Sequence, residues 1–174
     1  MVTGASGVGK TTLVLMLAPL LSLPVIPEIA RELCITMGYK YPGEITDQEN
    51  FKRNVLEMQM NAENKKSKFI SDRSAIDSWA LWQRWHLSQA MSYNTEAYYN
   101  TARKQADRYT HIIYVPPMFK PPDDGFRWTD LDYQKQVDRL VRATLFDWDL
   151  LDKTYTIKAL DTNERVEEIL AWLG

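Results

Sequence analysis

The eight residues Gly4–Thr11 constrain the fold more than any other part of the chain. They read Gly-Ala-Ser-Gly-Val-Gly-Lys-Thr and fit the pattern G-x-x-x-x-G-K-[ST] without a gap. In such a loop the glycines let backbone N–H groups point at phosphate oxygens, and the following helix adds the positive end of its dipole. The pattern therefore predicts a phosphate-binding loop between a strand and a helix.

The residue types in this loop indicate ATP and Mg²⁺ as its ligands. Lys10 supplies a mobile cation to the β and γ phosphates, and the hydroxyl of Thr11 is a ligand for magnesium. Only Met1–Thr3 precede the loop, so the first strand is very short unless the native chain begins earlier. The nucleotide contacts are predicted along the loop and the first helical turn, at Gly4, Ser6, Gly7, Val8, Gly9, Lys10, Thr11 and Thr12.

Short apolar segments alternate with helical patterns along the rest of the chain, which predicts a parallel sheet with helices on both faces. The strands are predicted at 24–26, 68–71, 111–115 and 155–160. The helices are predicted at 10–21, 28–37, 46–66, 76–91, 95–109, 130–151 and 164–173. No domain boundary is visible, so residues 1–174 are interpreted as one domain with a mobile lid at about 118–142.

Composition limits the partners of the chain. A net charge of -2 argues against a broad basic surface for nucleic acid, although a local groove remains open. The single cysteine, Cys34, excludes an internal disulfide and fits a cytoplasmic setting. No apolar run is long enough to span a bilayer, and the N-terminus does not resemble a signal peptide.

Two charged pairs follow predicted strands, where ligands bind in open α/β sheets. Asp72 is interpreted as a proton acceptor or as a magnesium holder through water, and Arg73 as a balance for the transferred phosphoryl group. Glu28 and Arg31 are expected to contact the acceptor substrate, although a simple ion pair one helical turn apart would explain them too.

The stretch Asp123–Arg127 suggests a flap that brings Arg127 onto the triphosphate and excludes water. Arg139 and Arg142 on the next helix serve the same purpose or pair with nearby aspartates. No metal-binding spacing surrounds the histidines, and no zinc site is predicted. The segment 65–68 reads as a solvated helix end, with contact to a phosphate backbone as the alternative.

Tryptophans recur every third residue after the Asp72-Arg73 pair. Trp79, Trp82 and Trp85 are expected mostly in the core, with a stacking surface for a base as the alternative.

In their order, these motifs resemble the P-loop kinases of the NadR-like group, which includes the ribosylnicotinamide kinase domain of the NAD biosynthesis regulator. The resemblance is carried by Gly4–Thr11, Pro27–Glu32, Ser71–Ser74 with Asp77, Asp123–Arg127 and Asp161–Arg165. It implies a three-layer P-loop NTPase fold of nucleoside-monophosphate-kinase type, with a five-stranded parallel sheet and a lid.

The resemblance also implies ATP-dependent phosphorylation of a hydroxyl on a nucleoside-type acceptor. It implies Asp72 as base or metal holder, Arg127 as lid arginine, and the turn Thr162–Asn163 near adenine. Some bacteriophage relatives look like kinases of a hydroxymethylated pyrimidine within DNA, so DNA as the substrate and a host cytoplasm as the location stay open.

The prediction is therefore a P-loop kinase. Lys10, Asp72, Arg73 and Arg127 are its catalytic residues, and Thr11 and Asp72 hold the metal. The acceptor lies against Glu28, Arg31, Asp72, Asp77 and Trp79. The alternative is a regulatory NTPase or nucleotide-dependent binding module, in which hydrolysis drives a shape change and no acceptor exists.

Overall fold

The computed structural model describes residues 1–86, 93–120 and 129–174. Strands and helices alternate along these ranges as predicted. The strands are β1 (Val2–Thr3), β2 (Val25–Ile26), β3 (Ile70–Ser71), β4 (Ile112–Tyr114) and β5 (Thr154–Thr156). The helices are α1 (Lys10–Leu20), α2 (Ile29–Thr36), α3 (Gln48–Asn64), α4 (Ala75–His86), α5 (Tyr93–Ala106), α6 (Leu131–Asp147) and α7 (Thr162–Leu173). Short 3₁₀ turns occupy Pro42–Glu44 and Leu151–Lys153.

The strands form two parallel sheets rather than the single five-stranded sheet that the resemblance implies. One sheet has the order β1-β4-β5, and β2 pairs with β3 in the other. An isolated bridge joins Val2 to Asp72, and the amide N of Arg73 donates to the carbonyl O of Val2 at 3.0 Å. The carboxyl ends of β1 and β3 therefore lie side by side, which brings the phosphate loop next to the Asp72-Arg73 pair.

Helix boundaries follow local capping chemistry. Asp47 caps α3, since its side chain accepts from the amide N of Asn50. Asp161 caps α7, since its side chain accepts from the amide N of Asn163 and from that of Glu164. Helix α6 ends at Asp147, short of the predicted Leu151, because Asp149 adopts a left-handed φ of 54° and turns the chain.

The core lies between the strands and the helices. Helix α1 packs on α7 and on the strands, and α4 packs against α3, α5 and α6. Cys34 belongs to a small buried apolar cluster with Ile45 and Phe51. Among the described residues, no helix has the length and hydropathy that crossing a membrane requires.

Candidate functional site

The loop between β1 and α1 needs glycine at both of its ends. Gly4 has a φ of 144°, and a Cβ placed there would lie 2.4 Å from the carbonyl O of Val115. Gly9 has a φ of 92° and starts α1 without a side-chain cap. Both positions lie in a backbone region that other residues rarely adopt. The first turn of α1 therefore presents uncapped N–H groups, the feature that binds phosphate.

Lys10 is buried and folds back onto the loop that precedes it. Its Nζ donates to the carbonyl O of Gly4 at 2.8 Å and to that of Ala5 at 2.6 Å. Burial is the main reason that the pKa of Lys10 falls to about 8, and the nearby Arg73 lowers it further. The ammonium group thus occupies a costly position that a polyphosphate would compensate.

Thr11 and Asp72 form a pair of oxygens at the start of α1. Thr11 Oγ1 donates to Asp72 Oδ2 at 2.5 Å. The side chain of Asp72 is almost fully buried, and its Oδ1 has no hydrogen-bond partner. Because a buried carboxylate oxygen without a partner is costly, and because hard cations prefer oxygen ligands, these residues fit a magnesium ion.

Arg73 connects the loop to the other side of the site. Its backbone has a left-handed φ of 81°. Its Nε donates to Glu28 Oε1 at 2.6 Å, its Nη2 to Ser6 Oγ at 3.2 Å, and its Nη1 lies 3.5 Å from Asp77 Oδ1. Burial alone would lower the pKa of Arg73, but Glu28 and Asp77 raise it well above its ordinary value. Arg73 is therefore a permanent cation held between two carboxylates.

Asp77 fixes the geometry of this junction. Its Oδ1 accepts from the amide N of Gly4 at 3.2 Å, and its Oδ2 accepts from Ser74 Oγ at 2.8 Å. The carboxylate is buried in the first turn of α4. Asp77 thus holds the start of the phosphate loop and Arg73 together. The acceptor contact predicted for it stays a prediction.

A polar network beneath β3 supports Arg73 from behind. Glu63 is fully buried and accepts from Gln59 Nε2 at 2.7 Å, from Gln105 Nε2 at 2.5 Å and from the hydroxyl of Tyr109 at 3.1 Å. Gln59 Nε2 also donates to Ser71 Oγ, which in turn donates to the carbonyl O of Arg73 at 2.6 Å. The network links α3 and α5 to the turn that carries Arg73.

Two cavities flank Glu28. The first is named the donor cavity, after the nucleotide that the sequence predicts beside the phosphate loop. It is formed by much of that loop and by residues from later parts of the chain. It is lined by Gly7, Gly9, Lys10, Thr11, Thr12, Glu28, Asp72, Phe119, Leu160, Thr162 and Arg165. Arg165 is missed by sequence reasoning, although it is buried and its Nη1 donates to the carbonyl O of Val8 at 3.0 Å. A buried arginine in a surface-type helix pattern gives no sequence signal.

The second is named the acceptor cavity, after the acceptor contacts that the sequence predicts for Glu28 and Asp77. It is lined mostly by residues of the helices and by Arg73. Its polar lining includes Ser6, Glu28, Gln48, Lys52, Gln59, Arg73, Asp77, Ser78 and Arg84. Its apolar and aromatic lining includes Ile29, Phe51, Val55, Leu81, Trp85, Tyr98 and Tyr133. The lining residues that belong to α3 recur at helical spacing between Gln48 and Gln59. This helix face of mixed polar and apolar residues is the sequence signal that could have identified them.

The tryptophans divide between the core and this cavity. Trp79 is buried against Tyr99, with ring centroids 5.0 Å apart, and does not line the cavity. Trp82 is fully buried and stacks on Tyr98 at 4.0 Å. Trp85 is 46% exposed and lines the cavity. Trp79, for which an acceptor contact is predicted, is therefore not part of the cavity wall, whereas Trp85 is.

Several other predicted residues are not part of the lining of either cavity. Arg31 pairs with Glu28 at 3.7 Å, the ion pair that was the alternative for it. Asn163 is exposed and its amide N donates to Asp161 Oδ1. Arg139 and Arg142 are exposed on α6. The lid segment Asp123–Arg127 lies outside the described residues, so the role of Arg127 stays a prediction.

Comparisons with known proteins agree on the fold. Two NadR crystal structures, one in complex with NR and one with NAD and AMP-PNP, superpose with a TM-score of 0.72 each at 22% and 19% identity. They match 91% and 98% of this chain, which spans only 45% and 48% of theirs. Deoxyadenosine kinase from M. mycoides with bound dCTP gives 0.73 at 14% identity, with 99% of this chain and 96% of that chain covered. No curated protein sequence matches significantly.

Shikimate kinase from Acinetobacter baumannii gives a TM-score of 0.54 at 17% identity, with 99% of this chain and 90% of that chain covered. The fold and the loop thus define a P-loop protein built like the small kinases. A protein-family model described as an AAA domain matches residues 1–165, and the chain belongs to that family. The resemblance to NadR-like kinases that the sequence suggests is confirmed.

Proposed function

We propose that this protein is a kinase that transfers the γ-phosphate of ATP to a hydroxyl of a nucleoside-type acceptor. The observation that carries the proposal is the pair of cavities that meet at Glu28. A protein that only hydrolyses or senses ATP has no use for a second, aromatic-lined cavity beside its phosphate loop. A kinase needs such a cavity, because transfer requires two substrates held with their reacting atoms adjacent.

On the donor side, the loop N–H groups and Lys10 would hold the β and γ phosphates. Phe119, Leu160 and Thr162 line the far part of the donor cavity and would contact the base. Thr11 and Asp72 would hold magnesium, which neutralises charge that develops on the phosphates during transfer. We assign Asp72 to the metal because of its contact with Thr11.

The proton of the acceptor hydroxyl is better assigned to Glu28 than to Asp72. Glu28 lines both cavities, and its side chain is only 10% exposed. In the proposed step, the hydroxyl oxygen forms a bond to the γ phosphorus while the bond from that phosphorus to the bridging oxygen of ADP breaks. The hydroxyl proton moves to Glu28, and Arg73 balances the charge on the transferred group. Arg127 remains a proposed partner from the lid.

An acceptor screen tests this function. The purified chain would be incubated with γ-labelled ATP, magnesium and either nucleosides, nucleotides or duplex DNA with hydroxymethylated pyrimidines. Label should appear in a member of one set, and a Lys10→Met variant should give the background. Label in DNA alone would identify the base within DNA as the acceptor. If ATP is hydrolysed at the same rate whether or not an acceptor is present, the result would instead support a nucleotide-driven switch.

A further inference from the structure

Among the described residues that line it, the acceptor cavity holds more positive charge than carboxylates neutralise. The two carboxylates described in its lining, Glu28 and Asp77, both face Arg73, and Glu28 also pairs with Arg31. These four groups balance one another, with two negative and two positive charges. Two further cations in the lining, Lys52 and Arg84, stand outside this balanced group.

Lys52 has only neutral neighbours among the contacts found within the described residues. Its Nζ donates to Gln48 Oε1 at 2.8 Å and lies 4.6 Å from the ring centroid of Trp85. Burial lowers the pKa of Lys52 to about 8, so the ammonium group is still mostly protonated at neutral pH. A charge in this position lacks the carboxylate that normally accompanies partly buried lysines.

Arg84, on α4, also has no carboxylate partner among the described residues. Its guanidinium carbon lies 5.4 Å from the ring centroid of Tyr133. Its Nε is shielded from solvent and has no hydrogen-bond partner. No salt bridge to Arg84 is found in the part of the chain that the structure describes. An arginine with a shielded, unsatisfied donor is costly unless a ligand completes it.

The surroundings of both cations strengthen any interaction with an anion. Phe51, Val55, Leu81 and Tyr98 form much of the remaining wall and keep the local dielectric constant low. Building on the proposed function, we propose that the acceptor is a ring-bearing hydroxyl compound with an anionic group, a carboxylate or a phosphate, which Lys52 and Arg84 bind. The aromatic wall holds the ring, and Arg73 and Glu28 face the hydroxyl.

Matched pairs of compounds test this inference by binding, independently of turnover. Nicotinate riboside and nicotinamide riboside differ only by a carboxylate in place of a carboxamide. Orotidine and uridine differ by a ring carboxylate, and thymidine 3′-phosphate and thymidine by a phosphate. Calorimetry with the full chain should give at least about tenfold tighter binding for the anionic member of one pair, since a charged hydrogen bond commonly has that effect. The pair that responds identifies the anion as carboxylate or phosphate.

Two variants attribute the preference to the named cations. Lys52→Gln and Arg84→Gln should each reduce it several-fold, because each removes one charge while keeping a polar side chain of similar reach. Lys104→Gln on α5 is the matched control, since this lysine is exposed and lines neither cavity. Its binding should equal that of the wild type. Thermal melting would establish that all three variants are folded.

The inference fails if no anionic compound binds more tightly than its neutral partner, whether both bind or neither does. It also fails if the preference persists in the double variant with Lys52→Gln and Arg84→Gln. Either result would leave the proposed kinase intact, provided that the acceptor screen finds a labelled product. Failure of that screen with a preserved anion preference would overturn the kinase proposal and the acceptor role of the ligand, while the anion site at Lys52 and Arg84 would stand.

Discussion

The donor and acceptor cavities lie on opposite sides of Glu28 but are built from different material. The donor cavity depends on main-chain N–H groups in one short loop, together with Lys10 and Thr11 directly after it. The acceptor cavity depends on side chains from α3, α4, α5 and α6. Main-chain geometry can be specified by a few glycines in sequence. A side-chain cavity requires separate helices to be docked correctly, so its residues are scattered along the chain.

The largest effect is expected for a substitution of Lys10 in the donor cavity, which should change phosphate transfer and protein stability in opposite directions. Lys10→Met should reduce phosphate transfer on the order of 10³-fold or more, since it removes a charge aimed at the transferred group. We expect the same substitution to raise the thermal stability of the nucleotide-free protein, because Lys10 is a buried cation. Steady-state kinetics and thermal melting measure the two effects.

The pH dependence gives the sign of this stability difference. The pKa of Lys10 is about 8 in the folded protein and 10.5 ordinarily, so unfolding takes up a proton between these values. The wild type therefore gains stability as pH rises from about 8 to 10.5, and the advantage of Lys10→Met should shrink over this range. Lys68→Met, at an exposed lysine, is the control. Because Met also removes the two hydrogen bonds of Lys10 Nζ, the pH trend is the decisive readout. A stability difference that does not change between pH 8 and 10.5 would contradict the assignment.

This contrast also explains which parts could be predicted from sequence. The phosphate loop, the order of strands and helices, and the position of Asp72-Arg73 follow from local patterns, and the structure places them as expected. The division of the strands into two sheets was not predicted, because β1 and β3 share only the bridge at Val2 and Asp72 within the described residues. Strand length depends on neighbouring strands, which periodicity does not reveal.

The acceptor side was predicted less well for the same reason. Trp79 and Trp85 share a helical pattern, but only docking of α4 on α5 decides which ring is buried. Lys52, Arg84 and Arg165 look like ordinary surface cations in sequence. Their burial results from contacts with distant elements, such as the hydrogen bond from Arg165 to the carbonyl O of Val8.

Substitutions of two carboxylates, Asp72 and Glu28, test whether the donor and acceptor cavities have separate roles. Asp72→Asn and Glu28→Gln should each reduce the maximal transfer rate by about 10²-fold. Asp72→Asn should also raise the magnesium concentration needed for half-maximal rate, since Asp72 contacts Thr11 on the donor side. Glu28→Gln should leave that concentration nearly unchanged and weaken the acceptor step instead.

Titrations of magnesium and of acceptor, each with the other component saturating, measure these shifts. Glu32→Gln is a suitable control, because Glu32 is exposed on α2 one turn after Glu28. Equal shifts in the magnesium requirement for Asp72→Asn and Glu28→Gln would mean that the two carboxylates do not divide between donor and acceptor as proposed.

The smallest effect is expected for a substitution of Glu63, in the polar network beneath β3. In Glu63→Gln an amide NH₂ replaces an oxygen that accepts from Gln59, Gln105 or Tyr109. One donor then loses its acceptor, at a cost of about 1–2 kcal/mol in the free energy of unfolding. Because Ser71 links this network to the carbonyl O of Arg73, the maximal rate should fall a few-fold while the KM for ATP stays unchanged. Denaturant unfolding and kinetics measure both.

The pH dependence of this variant separates a buried carboxyl from a simple packing change. Burial raises the pKa of Glu63 above its ordinary value of 4.5, so folding favours the protonated carboxyl at pH values between the unfolded and the folded pKa. The contribution of Glu63 is therefore fully present below pH 4.5 and declines as pH rises through the folded pKa. Glutamine does not titrate, so the deficit of Glu63→Gln should be largest in acid and shrink toward neutral pH. Glu57→Gln, at an exposed position on the same helix, should show no such trend, and a deficit that grows with pH would mean that Glu63 is charged in the folded protein.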